Sequence, residues 1–169
     1  MTTKLINYLT LILLALVAST SHAETTRCTV ISTLPINITK QGAYCLNRNL
    51  STKIATGGAI TVIANNVSID LNGHALVGLA PMSTTSAFGI YAVNRQNITI
   101  RNGSIRGFQT AIYLLDSSTS NTASQRHLIE DIRVSKNKEY GIFVWGSDNI
   151  VQHNQVADMG VYTRSTAGM

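Results

Sequence analysis

The chain has 169 residues, of which 44% are hydrophobic and 12% charged, a composition that suits one folded domain and excludes an ordinary disordered protein. Its formal net charge of +5 at pH 7 favours an acidic partner only weakly. The basic residues stand singly, without a long run and without interleaved aromatic residues, so the sequence argues against nucleic-acid binding.

Residues 1–23 have the three-part pattern of a secretory signal peptide. Lys4 precedes an apolar stretch from Leu9 to Ala18, and small residues follow up to Ala23. We expect cleavage between Ala23 and Glu24 and a secreted or periplasmic mature protein. The apolar stretch is about half of the ~20 residues that a membrane span needs, and no second stretch follows. The mature protein is therefore expected to have no membrane span.

Residues 24–58 hold the only two cysteines, Cys28 and Cys45. No CxxC pair or His-Cys cluster accompanies them, so a disulfide formed in an oxidising compartment is the simplest interpretation. A metal site and a catalytic thiol are the alternatives, and neither has visible partner residues. Because this segment lacks the repeats that follow it, we expect it to cap the N-terminal end of a repeat structure.

From residue 59 onward two short patterns alternate along the chain. One pattern places a small residue before an isoleucine, and the isoleucines stand at positions 60, 90, 112 and 142, at intervals of 30, 22 and 30. The other begins at Ile69, Ile100, Ile129 and Val151. Each pattern has the alternating apolar residues of a strand, with Asn, Gly, Asp and Ser at the strand ends.

An interval of 22 residues suits one turn of a β-solenoid, and the longer intervals are one turn with an inserted loop. The sequence therefore predicts an all-β, right-handed parallel β-helix of about four coils over residues 59–169, with the equivalent residues stacked in columns. A sandwich of antiparallel hairpins is the rival fold. The two patterns, however, recur in the same order each time, as expected when equivalent strands stack in parallel on successive coils. After Gly160 no cap is recognisable, so we expect either a partner or self-association at this end, or a truncated member of a longer β-helix.

Three segments, Ile69–His74, Asn97–Ile105 and Gly141–Val144, resemble the right-handed parallel β-helix repeat proteins of the pectate lyase superfamily. The resemblance implies the fold. Enzymes of that superfamily mostly cleave or epimerise acidic polysaccharides with carboxylates and an Arg or Lys on a solvent-facing sheet, and a lyase of this kind implies a divalent cation such as Ca²⁺. The chain lacks the Asp-Pro-His-Asp motif of alginate epimerases and the Asn-Thr-Asp and Arg-Ile-Lys motifs of polygalacturonases, so no catalytic residue is transferred from either family.

One solvent-facing column carries residue types suited to such chemistry. If Ile100 and Ile129 point inward, the residues that follow them, Arg101 and Glu130, point outward, and Asp131 and His153 lie at the next corner. Arg101, Glu130, Asp131 and His153 are the candidate catalytic residues, because uronate chemistry needs a cation and a base. The structural alternative is an ordinary ion pair between Arg101 and Glu130 beside turn-forming corner residues.

A second outward column consists of Tyr91, Tyr113 and Phe143, each one position after an inward isoleucine. An exposed aromatic ladder is a candidate platform for sugar stacking, and cover by an inserted loop is the structural alternative. The histidines His74 and His127 are interpreted as a corner residue and a loop-end residue.

Together these patterns lead to two hypotheses of different kinds. The first is a secreted polysaccharide-associated protein with a lyase-like or epimerase-like scaffold acting on an acidic polysaccharide. The second is a non-catalytic module that binds glycan or protein at the surface, or an inactive fragment of a longer β-helix protein. Carboxylates gathered in one groove favour the enzyme, whereas a flat face of aromatic residues favours binding.

Overall fold

The computed structural model describes residues 27–78, 85–120 and 123–160. Within these ranges the chain forms fourteen β-strands and no helix, so no helix there is long and apolar enough to cross a membrane. The predicted signal peptide and its Ala23–Glu24 cleavage site lie outside the described residues. The strands are β1 (Thr29–Ile31), β2 (Ile36–Ile38), β3 (Gly42–Leu46), β4 (Leu50–Thr52), β5 (Thr56–Val62), β6 (Val67–Asp70), β7 (Ala75–Gly78), β8 (Ser86–Val93), β9 (Ile98–Arg106), β10 (Thr110–Leu115), β11 (Leu128–Ser135), β12 (Tyr140–Val144), β13 (Ile150–Gln152) and β14 (Gln155–Ala157).

Each described strand pairs in parallel with the equivalent strand of the neighbouring coil. One sheet runs β1-β3-β6-β9-β11-β13, with β4-β7-β9 and β11-β14 attached to it, and the second runs β2-β5-β8-β10-β12. The molecule is thus a parallel β-solenoid of about four turns, which confirms the predicted all-β fold. The antiparallel sandwich is excluded, because every strand pairing is parallel.

The corners of the solenoid are columns of residues in the left-handed backbone conformation. The first sheet bends within β9 at Asn102 (φ 58°) and within β11 at Asp131 (φ 53°), so it supplies two faces of the solenoid. Short Asn and Asp side chains tolerate this conformation better than most residues, which explains the predicted polar punctuation. The three columns of positive φ are Asn72, Asn102, Asp131 and His153; Asn66, Asn97, Arg126 and Asp148; and Gly107, Lys136 and Asp158.

The core consists of stacked apolar columns, as the repeats predict. Ile100 lies opposite Ile129, and both side chains have no exposed surface. On the second sheet Ile90 lies opposite Ile112, again with both fully buried. Burial of such side chains contributes roughly 1.5–3 kcal/mol each, so these columns supply much of the stability of the fold.

The small residue before each repeat isoleucine has a steric cause. A Cβ atom at Gly89 would lie 2.7 Å from Ile105 Cγ2, and one at Gly141 would lie 2.8 Å from Val134 Cγ2. These positions therefore face the apolar column of the opposite sheet at close range. The recurring Gly or Ala leaves room for Ile105 and Val134 to pack, which a sequence pattern alone does not explain.

The N-terminal segment lies at the end of the solenoid, where a cap is expected, and its strands also continue both sheets. Ile36 of β2 pairs with Ile60 of β5, and Leu50 of β4 pairs with Leu76 of β7. Ile31 and Ile38 are each only 1% exposed. This end of the core is therefore closed by short strands in the register of the coils that follow.

The last described coil is much more open. Val151 lies opposite Ile129 and Val156 opposite Val134, as the repeats predict, yet the two valines are 49% and 53% exposed. No strand of the described ranges lies beyond them, and they line a hollow of about 580 Å³. Self-association at this end stays a prediction.

Candidate functional site

The outer column of the first sheet forms with the predicted register. Arg101 lies between Asp70 and Glu130 on neighbouring coils. Its ion pair, however, is with Asp70 (Nε to Oδ2, 3.0 Å), and Glu130 instead accepts a hydrogen bond from Gln152 Nε2 at 2.9 Å. Asp70 Oδ1 also accepts from Asn102 Nδ2 at 3.2 Å. Arg101 is thus paired with a carboxylate on one side of the column, and the predicted Arg101–Glu130 pair is not the one that forms.

Asp131 and His153 occupy the corner that follows this column. Both have positive φ, 53° in each case, and both side chains are exposed. Asn102 holds the equivalent place one coil before Asp131, which shows that the position selects for turn formation. The structure therefore brings the four candidate residues onto one edge of the solenoid, where their observed contacts and backbone conformations are those of sheet and corner residues.

No group of three or more His, Cys, Asp or Glu side chains within the described ranges is arranged to hold a metal ion. Asp70 and Arg101, together with Cys28 and Cys45, line a hollow of about 210 Å³. The predicted disulfide between these cysteines is present, with the two Cα atoms 5.7 Å apart. The disulfide links Cys28, the residue before β1, to Cys45 of β3 on the outer surface of the first sheet.

The aromatic column on the second sheet also has the predicted geometry. Tyr91 lies opposite Tyr113, and Tyr113 lies opposite Phe143. Their ring centroids are 5.8 Å and 4.7 Å apart, with interplanar angles of 15° and 11°. Phe88 packs against this stack, 4.7 Å from Tyr113. Tyr140 and Trp145 extend it at the C-terminal end, with ring centroids 5.6 Å and 6.4 Å from Phe143.

We call these six residues the aromatic face. Nearly parallel rings at such short separations must overlap, so the inner rings cover part of one another, and Tyr91, Tyr113 and Phe143 are only partly exposed. Tyr140 and Trp145, at the end of the face, are each 51% exposed. The surface most open to a ligand therefore lies beside β12, and not along the middle of the predicted column.

Sequence reasoning missed one polar cluster in the interior. His127, interpreted as a loop-end residue, is 1% exposed and lies in a buried column with Ile98. Its Nε2 is 2.9 Å from Ser124 Oγ, and Ser124 N donates to Asp116 Oδ2 at 2.8 Å. The sequence contained a signal for this placement. His127 stands two residues before the inward Ile129, on the same face of the strand.

The geometry defines a class, the parallel β-solenoids, and no particular family within it. No protein-family model matches this chain, and neither does any curated protein or solved structure. The likeness to the pectate lyase superfamily thus stays a prediction from the repeats.

Proposed function

We propose that this protein is a secreted β-solenoid that binds polysaccharide, without catalysing its cleavage, at the C-terminal end of the aromatic face. The observation that carries the proposal is the pair of half-exposed rings, Tyr140 and Trp145, on either side of Phe143. Large aromatic rings held open to solvent suit the apolar C–H faces of sugar rings and mark surfaces used for recognition.

Binding is favoured over catalysis by the contacts of the outer column. Arg101 is engaged by Asp70, and Glu130 is engaged by Gln152. A lyase requires a cation and a base that converge on one point of the substrate, whereas Arg101 contacts the preceding coil and Glu130 the following coil. The aromatic face, by contrast, offers rigid rings that are already ordered by stacking, so little conformational entropy is lost when a ligand docks.

Secretion is the second support for a polysaccharide partner. The signal-peptide pattern of residues 1–23 is a prediction, and the Cys28–Cys45 disulfide agrees with an oxidising compartment. Without Lys4 of the signal peptide the mature chain has a formal net charge of +4, which gives an acidic polysaccharide a modest advantage over a neutral one. We therefore propose polyuronates as the first ligands to test.

Affinity electrophoresis of the mature protein in gels that contain polygalacturonate, alginate or a neutral glucan tests the proposal. Retention by one of these polymers is expected, and Trp145→Ala and Tyr140→Ala should each weaken it. Trp145→Phe, which keeps a ring, should retain most of the binding. Ile63→Ala removes a side chain of similar exposure, 45%, from another part of the surface and serves as the control. Retention that is the same in all variants would reject the site.

A further inference from the structure

A histidine replaces an aliphatic residue in one interior column, and it is held by backbone and side-chain groups from three parts of the chain. Val67 and Ile98 precede it in the column, with 1% and 0% exposure, and Asn149 follows it. Buried polar groups need hydrogen-bond partners, because an unpaired one has lost its water without replacement and destabilises the fold. The hydrogen-bond partners of His127 determine which ring nitrogen carries the proton.

Hydrogen bonds fix the protonation state of the ring. Ile98 N donates to His127 Nδ1 at 3.2 Å, so Nδ1 must carry a lone pair. The neutral ring then has its proton on Nε2 and donates it to Ser124 Oγ, 2.9 Å away. One coil later Asn149 Oδ1 accepts from His127 N at 2.9 Å. His127 Nδ1 thus accepts a hydrogen bond from the backbone of Ile98, just as Asn149 Oδ1 accepts one from the backbone of His127.

Ser124 connects this ring to the surface of the last coil. Ser147 N donates to Ser124 O at 3.3 Å, and a Cβ atom at Gly146 would overlap the same oxygen. The backbone of Gly146 thus rests directly on Ser124. Trp145 immediately precedes Gly146, and its backbone N donates to Leu114 O at 2.8 Å. A movement of Ser124 must therefore disturb the end of β12.

We propose that protonation of His127 at Nδ1 pushes the ring away from the N–H of Ile98 and, because Nε2–H still donates to Ser124 Oγ, shifts Ser124 against Gly146, so that acid changes the surroundings of Trp145 while the rest of the solenoid stays folded. A proton on Nδ1 would face the N–H of Ile98, and two donors cannot share one hydrogen bond. The proton would also place a positive charge in the apolar column. Burial opposes that charge and lowers the pKa of His127 to about 4. This proposal does not depend on ligand binding at the aromatic face.

Four charged residues lie on the segments that adjoin His127. Asp116 follows β10, and its carboxylate accepts from Ser118 N and Ser124 N. Burial opposes its ionisation, but these hydrogen bonds outweigh burial and leave the pKa of Asp116 lowered. Arg126 precedes His127, and Asp148 precedes Asn149 at the next corner. Arg95 lies in the preceding turn, where its guanidinium donates to Ile63 O at 2.7 Å.

Tryptophan emission provides the test, because Trp145 is the only tryptophan of the chain. The mature protein is titrated from pH 8 to pH 3 while emission and far-ultraviolet circular dichroism are recorded. We expect an emission shift centred near pH 4, where the folded ring gains its proton, with unchanged dichroism. His127→Asn keeps an acceptor for Ile98 and cannot titrate there, so the shift should be lost. His153→Asn, at an exposed corner, should keep it.

Two outcomes would overturn the proposal. One is the same emission shift in His127→Asn as in the wild type. The other is simultaneous loss of emission and dichroism in the wild type, which would mean global unfolding. If His127→Asn does not fold, nitrogen NMR of the wild-type ring decides instead. The proposal requires the Nε2–H form at pH 7, and an Nδ1–H or doubly protonated ring would reject it.

Discussion

Ile100 and Ile129 lie directly opposite each other on consecutive coils, and neither side chain has any exposed surface. Thr99, one position earlier, pairs with Leu128 and is partly exposed on the outer face. Two adjacent residues of one strand thus have opposite environments, which is the defining property of a solenoid strand.

Truncation of Ile100 or Ile129 to Ala is expected to lower the free energy of unfolding by about 2–5 kcal/mol, because each change leaves a cavity in the column. Thr99→Ala should cost less than half of that. Urea unfolding followed by circular dichroism measures both. Equal losses at Ile100 and Thr99 would contradict the register.

Export and oxidation are tested by one mass measurement. We expect the mature chain to begin at Glu24 and to be two hydrogens lighter than the reduced chain, because Cys28 and Cys45 are bonded. Reduction should lower the free energy of unfolding by roughly 3 kcal/mol, since the disulfide closes a loop of 17 positions. A chain that starts at Met1 would contradict the export prediction.

Arg101→Ala is expected to leave polyuronate retention unchanged and to reduce stability by less than about 1 kcal/mol, because its pair with Asp70 is exposed. Retention in affinity gels and thermal melting measure the two effects. The triple change Arg101→Ala, Glu130→Gln and Asp131→Asn should behave in the same way. Loss of retention in either protein would move the binding site to the outer column of the first sheet.

Stability should depend on pH through His127. The pKa of its ring is about 4 in the folded protein against an ordinary 6.5, so the unfolded chain binds more protons between these values. Stability is therefore fully present above pH 6.5 and is lost as the pH falls towards 4. We expect a loss of about 2 kcal/mol between pH 7 and pH 5 in urea unfolding. The difference should vanish in His127→Asn, and an unchanged slope in that variant would contradict the assignment.

Much of the outer surface could be predicted once the repeats were aligned. The columns through Arg101 and Tyr113 have the predicted neighbours, because residues of a strand alternate between faces whatever their chemistry. Which neighbour a long side chain contacts is a different question. Arg101 has a carboxylate on each side and pairs with Asp70, whose other oxygen is already fixed by Asn102.

The sequence by itself determined the fold class, the register of the repeats and the disulfide, because each depends on local alternation, turn chemistry or a single pair of cysteines. Only the tertiary structure decided that the aromatic rings cover one another, that the last coil leaves Val151 and Val156 half exposed, and that the His127 ring accepts a hydrogen bond from the backbone of Ile98. These features depend on what lies across the coil or on the next one. The repeats align residues 22 to 31 positions apart, but which side-chain atoms of those residues form hydrogen bonds is set by packing, which no local pattern specifies.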